Sequence, residues 1–197
     1  NSSDGKVILI QLCSPGTLPV SNTAANQLNI CSGSSSSLSV TGTGTLNWYN
    51  SPTSTVSLGS GTSYNTSTLS TGTYIYYAAS TNTCAEGQRL ALTVTVNALP
   101  VVSITGTNAL CSGQSINLTA SGANTYTWST NSNLSSISVA PTSNITYTLS
   151  GTSTAGCVSA AAASLVVTVN ALPVVSITGT NALCSGQSIN LSASGAN

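Results

Sequence analysis

Residues 96–124 read VNALPVVSITGTNALCSGQSINLTASGAN, and residues 169–197 read VNALPVVSITGTNALCSGQSINLSASGAN; only Thr119 against Ser192 differs. The two copies lie 73 residues apart, from Val96 to Val169. Near-identity at a fixed period of this size marks a tandem array of small domains, each one supersecondary unit repeated. The second copy breaks off at Asn197, part-way through a repeat. The expectation is a segment of a longer array, or an array whose last module is completed by something else.

Working outward from the copies, the run ahead of the first one alternates cleanly. Leu90, Leu92, Val94 and Val96 fall on one face, with Thr93 and Thr95 opposite, the period of a half-buried strand. Strands are expected over 37–41, 45–49, 55–58, 63–69, 73–79 and 89–96, and again over 101–105, 115–120, 125–129, 136–140, 145–151 and 164–169. Short strands broken by Gly, Ser, Asn and Pro at this density predict antiparallel β-sandwiches, an all-β fold of modules joined end to end. The expected division is a strand and connector over 1–30, a first module over 31–97, a second over 98–170, and the first part of a third over 171–197. In the opening segment, 6–13 (KVILIQLC) is the most continuously apolar run, suited to a strand buried on both faces. It reads as the end of an upstream module or as a strand donated between subunits. Val-Asn-Ala-Leu-Pro joins the modules at 96–100 and 169–173, and Pro100 and Pro173 make that linker semi-rigid and extended.

The cysteines act as a ruler. Cys31, Cys111 and Cys184 each open the tripeptide Cys-Ser-Gly, and 17 residues separate Cys31 from Trp48 and Cys111 from Trp128. The intervals from Cys84 to Cys111 and from Cys157 to Cys184 are both 27 residues. This spacing predicts one disulfide within each module, Cys31 to Cys84 and Cys111 to Cys157, with Cys184 unpaired inside the segment. Each would stabilise a thin core by about 4 kcal/mol in the chain-entropy account, and would place the chain in an oxidising compartment. Cys13 falls outside the ruler, leaving open a partner upstream, a partner in another chain, or a free thiol. Trp48 and Trp128 are expected to fill the cores, with Tyr74, Tyr76 and Tyr77 straddling one strand instead of forming a sugar-stacking platform.

Composition narrows the function. Charged residues are 2% of the chain, against about 25% in ordinary soluble domains. The four are Asp4, Lys6, Glu86 and Arg89, and His is absent. Without paired carboxylates or a nucleophile and its base, no catalytic set is available. Without carboxylates at the linkers, a calcium-stiffened array is excluded within this segment, and no cofactor or metal is expected. Zero net charge with no basic cluster argues against nucleic acid, and no apolar run is long enough to insert into a membrane as a helix. Asn-x-Ser/Thr sequons, among them those at Asn65, Asn117, Asn133, Asn144 and Asn190, are what chance gives in a chain of this composition.

The string Ala-Leu-Pro-x-Val-x-Ile-x-Gly, then Cys-Ser-Gly-x-Ser, then Tyr-x-Trp-Ser, then Ile-Thr-Tyr-Thr-Leu-Ser-Gly-Thr-Ser-x-x-Gly-Cys, resembles the immunoglobulin-like repeats of large Bacteroidetes surface proteins. Such repeats occur in gliding and adhesin proteins exported by the type IX secretion route. The resemblance covers residues 31–197. It implies extracellular Ig-like β-sandwiches at a cell surface and offers no catalytic residues to carry over. Trp48 and Trp128 match the buried strand-three Trp of antibody-type domains, whereas the cysteines sit before strand two and not within it. The expected function is a non-catalytic stalk or filament whose partners are neighbouring repeats of the same protein. The alternatives are an adhesin binding surface glycan or protein, and a fibre subunit assembled by strand complementation.

Overall fold

A computed structural model describes residues 14–195; the expected strand over 6–13, and with it Cys13, lies outside the described residues. The chain forms two compact units, 14–99 together with Thr154–Cys157, and Pro100–Ser153 together with 158–195.

The first unit is a two-layer sandwich. One sheet has three strands: β1 (Val20–Ser21), β3 (Ser37–Thr41) and β6 (Ser63–Asn65), with β3 in the middle. The other runs β2 (Asn29–Cys31), β8 (Leu90–Asn97), β7 (Gly72–Thr81), β4 (Thr45–Tyr49) and β5 (Gly59–Ser60). A single helical turn, α1 (Ala25–Leu28), carries the chain from β1 to β2. The alternation of β8 is realised in space: Leu92, Val94 and Val96 are buried, and Ala91 and Thr93 are exposed. They pack with Leu38, Val40, Leu46 and Trp48 between the sheets.

Here the stretch 14–30 departs from the expected connector. β1 pairs antiparallel with β3, and β2 pairs parallel with β8, so the first sandwich begins well before Cys31. Strands of two and three residues carry too little periodicity to be seen in the sequence. The run expected as a strand over 55–58 is loop, and its place at the sheet edge is taken by the two residues of β5.

The second unit repeats the plan. β11 (Ile116–Ser121) lies between β9 (Ser103–Gly106) and β13 (Ser136–Val139). The facing sheet has the order β10 (Ala109–Cys111), β15 (Ala163–Asn170), β14 (Ile145–Thr152), β12 (Thr125–Trp128). The opening strand changes sheets: β9 pairs antiparallel with β11, and two residues later β10 pairs parallel with β15. Leu118, Trp128, Leu149 and Val167 close the core.

Among the described residues past Asn170, one hairpin forms, β16 (Ser176–Thr178) with β17 (Ser192–Ser194). Its register is that of β9 on β11 shifted by one period: Ile177 faces Ala193 as Ile104 faces Ala120. The copied sequence thus forms the copied hairpin, but Leu191 is 60% exposed where Leu118 is 0%. Pro100 is half-buried between β8 and β9, and Pro173 is exposed between β15 and β16.

Candidate functional site

The Cys-Ser-Gly turn is built the same way at its first two occurrences. At the first, β2 ends on Cys31, which lies opposite Asn97, the last residue of β8. Ser32 donates its backbone N–H to the Asn97 carbonyl at 2.9 Å, and Ser34 donates to the Cys31 carbonyl at 3.0 Å. At the second, Cys111 lies opposite Asn170 at the end of β15. Ser112 donates to Asn170 O at 2.8 Å, and Gln114 to Cys111 O at 3.1 Å. Gly33 and Gly113 stand at φ +85° and +84°, a left-handed conformation that glycine enters without penalty. Each sandwich therefore presents one cysteine at the finishing end of its last strand.

The loop cysteines sit at the other end. Glu86 bridges to Thr81 and Val158 to Thr152, which places the loops of Cys84 and Cys157 where β7 and β14 finish and β8 and β15 begin. From Leu90 to Asn97, or Ala163 to Asn170, is about 23 Å at 3.3 Å per residue. A disulfide needs Cα atoms within about 7 Å. This overturns both expected pairings: Cys31 cannot reach Cys84, nor Cys111 reach Cys157, because each pair is split between opposite ends of its own sandwich.

The bond that forms joins Cys31 to Cys157, 126 residues apart, with Cα atoms 5.6 Å from each other. Cys157 is buried, and the segment Thr154–Cys157, between β14 and β15 in the chain, belongs to the first unit. Cys84 is also disulfide-bonded. Cys111, expected in a bond, carries a free exposed thiol, as does Cys184. The ruler measured intervals along the chain and had no access to which end of a sandwich each cysteine occupies.

Most of the aromatic residues pack in or against the cores. Trp48 and Trp128 are buried, and their indole N–H groups donate to Gly61 O at 3.0 Å and Leu134 O at 2.8 Å. Trp48 stacks on Tyr64, which tilts against Tyr76, and Tyr74 and Tyr76 pack on the core. Burial, then repulsion from Tyr64 and Tyr74, raises the Tyr76 hydroxyl above its ordinary value of 10.0.

Glu86 and Arg89 form a cluster with Tyr49 that the sequence reading did not assemble. The Arg89 guanidinium lies 3.5 Å over the Tyr49 ring. Its Nε donates to Glu86 Oε1 at 2.7 Å, and its two terminal nitrogens donate to Ser51 O at 2.9 Å and Ser54 O at 2.7 Å. Tyr49 donates to the other Glu86 oxygen at 2.5 Å. Burial is the largest single influence on Glu86 and pushes its carboxyl up. The bonds from Tyr49 and Arg89, with the guanidinium charge, outweigh it and hold the carboxyl below its ordinary value of 4.5. Burial, followed by the bond to Glu86 and that carboxylate's charge, raises Tyr49. Arg89 thereby anchors the 50–58 loop to the sheet, and Glu86 is committed to its two partners. The clue available in sequence was the near absence of charge elsewhere, which made an Arg three residues from a Glu conspicuous. Among the described residues, no cluster of His, Cys, Asp and Glu is arranged to hold a metal, and no helix is long and apolar enough to cross a membrane.

Residues 19–97 match the model of a family described as "Ig-like domain CHU_C associated". Over that stretch the Ig-like resemblance holds, and the match starts at Pro19, in step with β1 and not with Cys31. No curated protein matches the chain closely enough to count as a relative. Among solved structures, the chain is similar to three N-terminal domains of the Hoc protein of bacteriophage RB49, at 16% identity and TM-score 0.38, covering 92% of this chain and 69% of that one. It is also similar to a Ca2+-stabilized adhesin of an Antarctic bacterium, at 12% identity and TM-score 0.42, covering 82% of this chain and 52% of that one. Against the N-terminal four Ig domains of Dscam1 isoform 6.9 the identity is 13% and the TM-score 0.32, with 79% of this chain covered. The chain spans 46% of that structure's length.

Proposed function

We propose that this chain is a structural, non-catalytic part of an extracellular stalk or filament built from tandem Ig-like modules. Its partners are further modules of the same kind. The observation that carries the reading is the Cys31–Cys157 bond, which spans 126 residues and so ties together positions that two successive sandwiches separate in the chain. Tension applied through the chain passes across that bond and leaves most of both sandwiches outside the loaded path. The 73-residue repeat supports an array, since each unit reuses one hydrophobic plan and one turn. Disulfides of this kind need an oxidising compartment, which supports an extracellular location. A surface wetted by Ser, Thr and Asn with almost no charge suits a protein held in a fibre better than one kept apart by repulsion. Electron microscopy of the native material, with disulfides kept intact, tests this. Strands of evenly spaced beads are expected; isolated compact particles that bind glycan saturably would replace the stalk with an adhesin.

A further inference from the structure

Cys31 and Cys111 occupy the same place in two copies of one framework. Each ends a three-residue strand paired parallel with the last strand of its sandwich, opposite an asparagine, and each leads into the same glycine turn. Cys31 is bonded to a loop cysteine 126 residues further on, whereas Cys111 is free and exposed. The loop cysteine it would need is not within reach in its own sandwich, because Cys157 lies at the opposite end and is already engaged. Cys84, the other loop cysteine, is also engaged.

We propose that Cys111 is the open half of a second bridge of the Cys31–Cys157 kind, closed by the Cys157-type loop cysteine of a further module. The inference rests on the tandem-module reading only for the supply of that partner. Repeated along an array, the connection joins each module's Cys-Ser-Gly turn to the loop of the next, a ladder of bonds alongside the backbone. Cys184 stands one step behind. Its turn is formed, with Gly186 at φ +84° and Gln187 donating to Cys184 O at 3.1 Å, but no paired strand leads into it.

The chemistry is thiol–disulfide exchange. The Cys111 thiol and the partner thiol each lose a proton and one electron as the S–S bond forms. The two electrons pass to a small-molecule or protein disulfide, whose own S–S bond breaks to give two thiols.

The test uses surface material taken from its source with free thiols alkylated in place, then digested without reduction and mapped by mass spectrometry. The expected result is loss of the alkylated Cys111 peptide and its recovery linked to a peptide carrying a Gly-Cys loop like Gly156-Cys157. Electrophoresis with and without reductant separates the two sources of that loop. An unchanged chain mass places it further along the same polypeptide, and a ladder that collapses on reduction places it in a separate molecule; both support the bridge. Cys111 recovered alkylated, joined to glutathione, or joined to a second Cys111 overturns it. Beaded strands in the microscope with Cys111 alkylated would sink this proposal and leave the stalk standing.

Discussion

Gly122 and Gly113 both have positive φ, +96° and +84°, but they differ in what surrounds them. A Cβ at Gly113 meets nothing within 4 Å, whereas at Gly122 it would lie 1.9 Å from the Val101 carbonyl oxygen. Gly113→Ala is therefore expected to cost about 1 kcal/mol for the left-handed backbone alone. Gly122→Ala adds a backbone collision and should cost about 3 kcal/mol. Denaturant midpoints of the two variants check the order, and equal losses would contradict it. Titration is also decided by few residues. The acidic side chains are Asp4 and Glu86, and Glu86 is held below its ordinary value on folding. A depressed carboxyl gives stability that is full above its unfolded value and lost as the pH falls through the folded one. Thermal stability should thus be flat through neutrality and fall on the acid side below about pH 4.5, and Glu86→Gln should flatten that limb. Tyr49 and Tyr76 are raised, so their contribution is full below 10.0 and disappears as the pH climbs past it through their folded values. An acid limb unchanged by Glu86→Gln would remove the cluster from this account.

The hairpins at 103–121 and 176–194 share a register and nearly a sequence, so they form a natural control for packing. Leu118 is fully buried beneath Trp128 and its neighbours; Leu191, its copy, is 60% exposed. Leu118→Ala should cost about 2–5 kcal/mol through lost burial and the cavity left behind. Leu191→Ala should change stability by less than about 0.5 kcal/mol in this 197-residue chain. Calorimetry on the two variants measures the contrast, and a large loss at Leu191 would show that its face is covered. Much at this scale was legible in sequence. The long strands β7, β8, β14 and β15 fall within one or two residues of expectation because eight or more residues carry several turns of the period-two signal. β1, β2 and β10 escaped it because two or three residues carry none. Their positions come from tertiary pairing, parallel to the closing strand in two of the three cases.

At the scale of the whole molecule, the cysteine spacings assigned the wrong partners: Cys31 bonds to Cys157, and Cys111 is free. Equal intervals of 27 residues show that Cys84 relates to Cys111 as Cys157 relates to Cys184. They do not show that Cys31 and Cys84, or Cys111 and Cys157, lie at opposite ends of a strand about 23 Å long. That follows only once β2 and β10 are seen to run parallel to β8 and β15, since a parallel pairing carries the cysteine to the finishing end. The resulting bond makes a mechanical prediction. When the chain is pulled from its two ends, the stretch between Cys31 and Cys157 is bypassed while the bond is intact. Fully extended backbone spans at most about 3.4 Å per residue, so the 126-residue separation withholds roughly 430 Å of length. Single-molecule pulling should show that length only after reduction, or in a Cys31→Ser variant, as extra unfolding steps from both sandwiches. Equal extension before and after reduction would mean that the bond does not carry load, and the stalk reading would lose the feature it rests on.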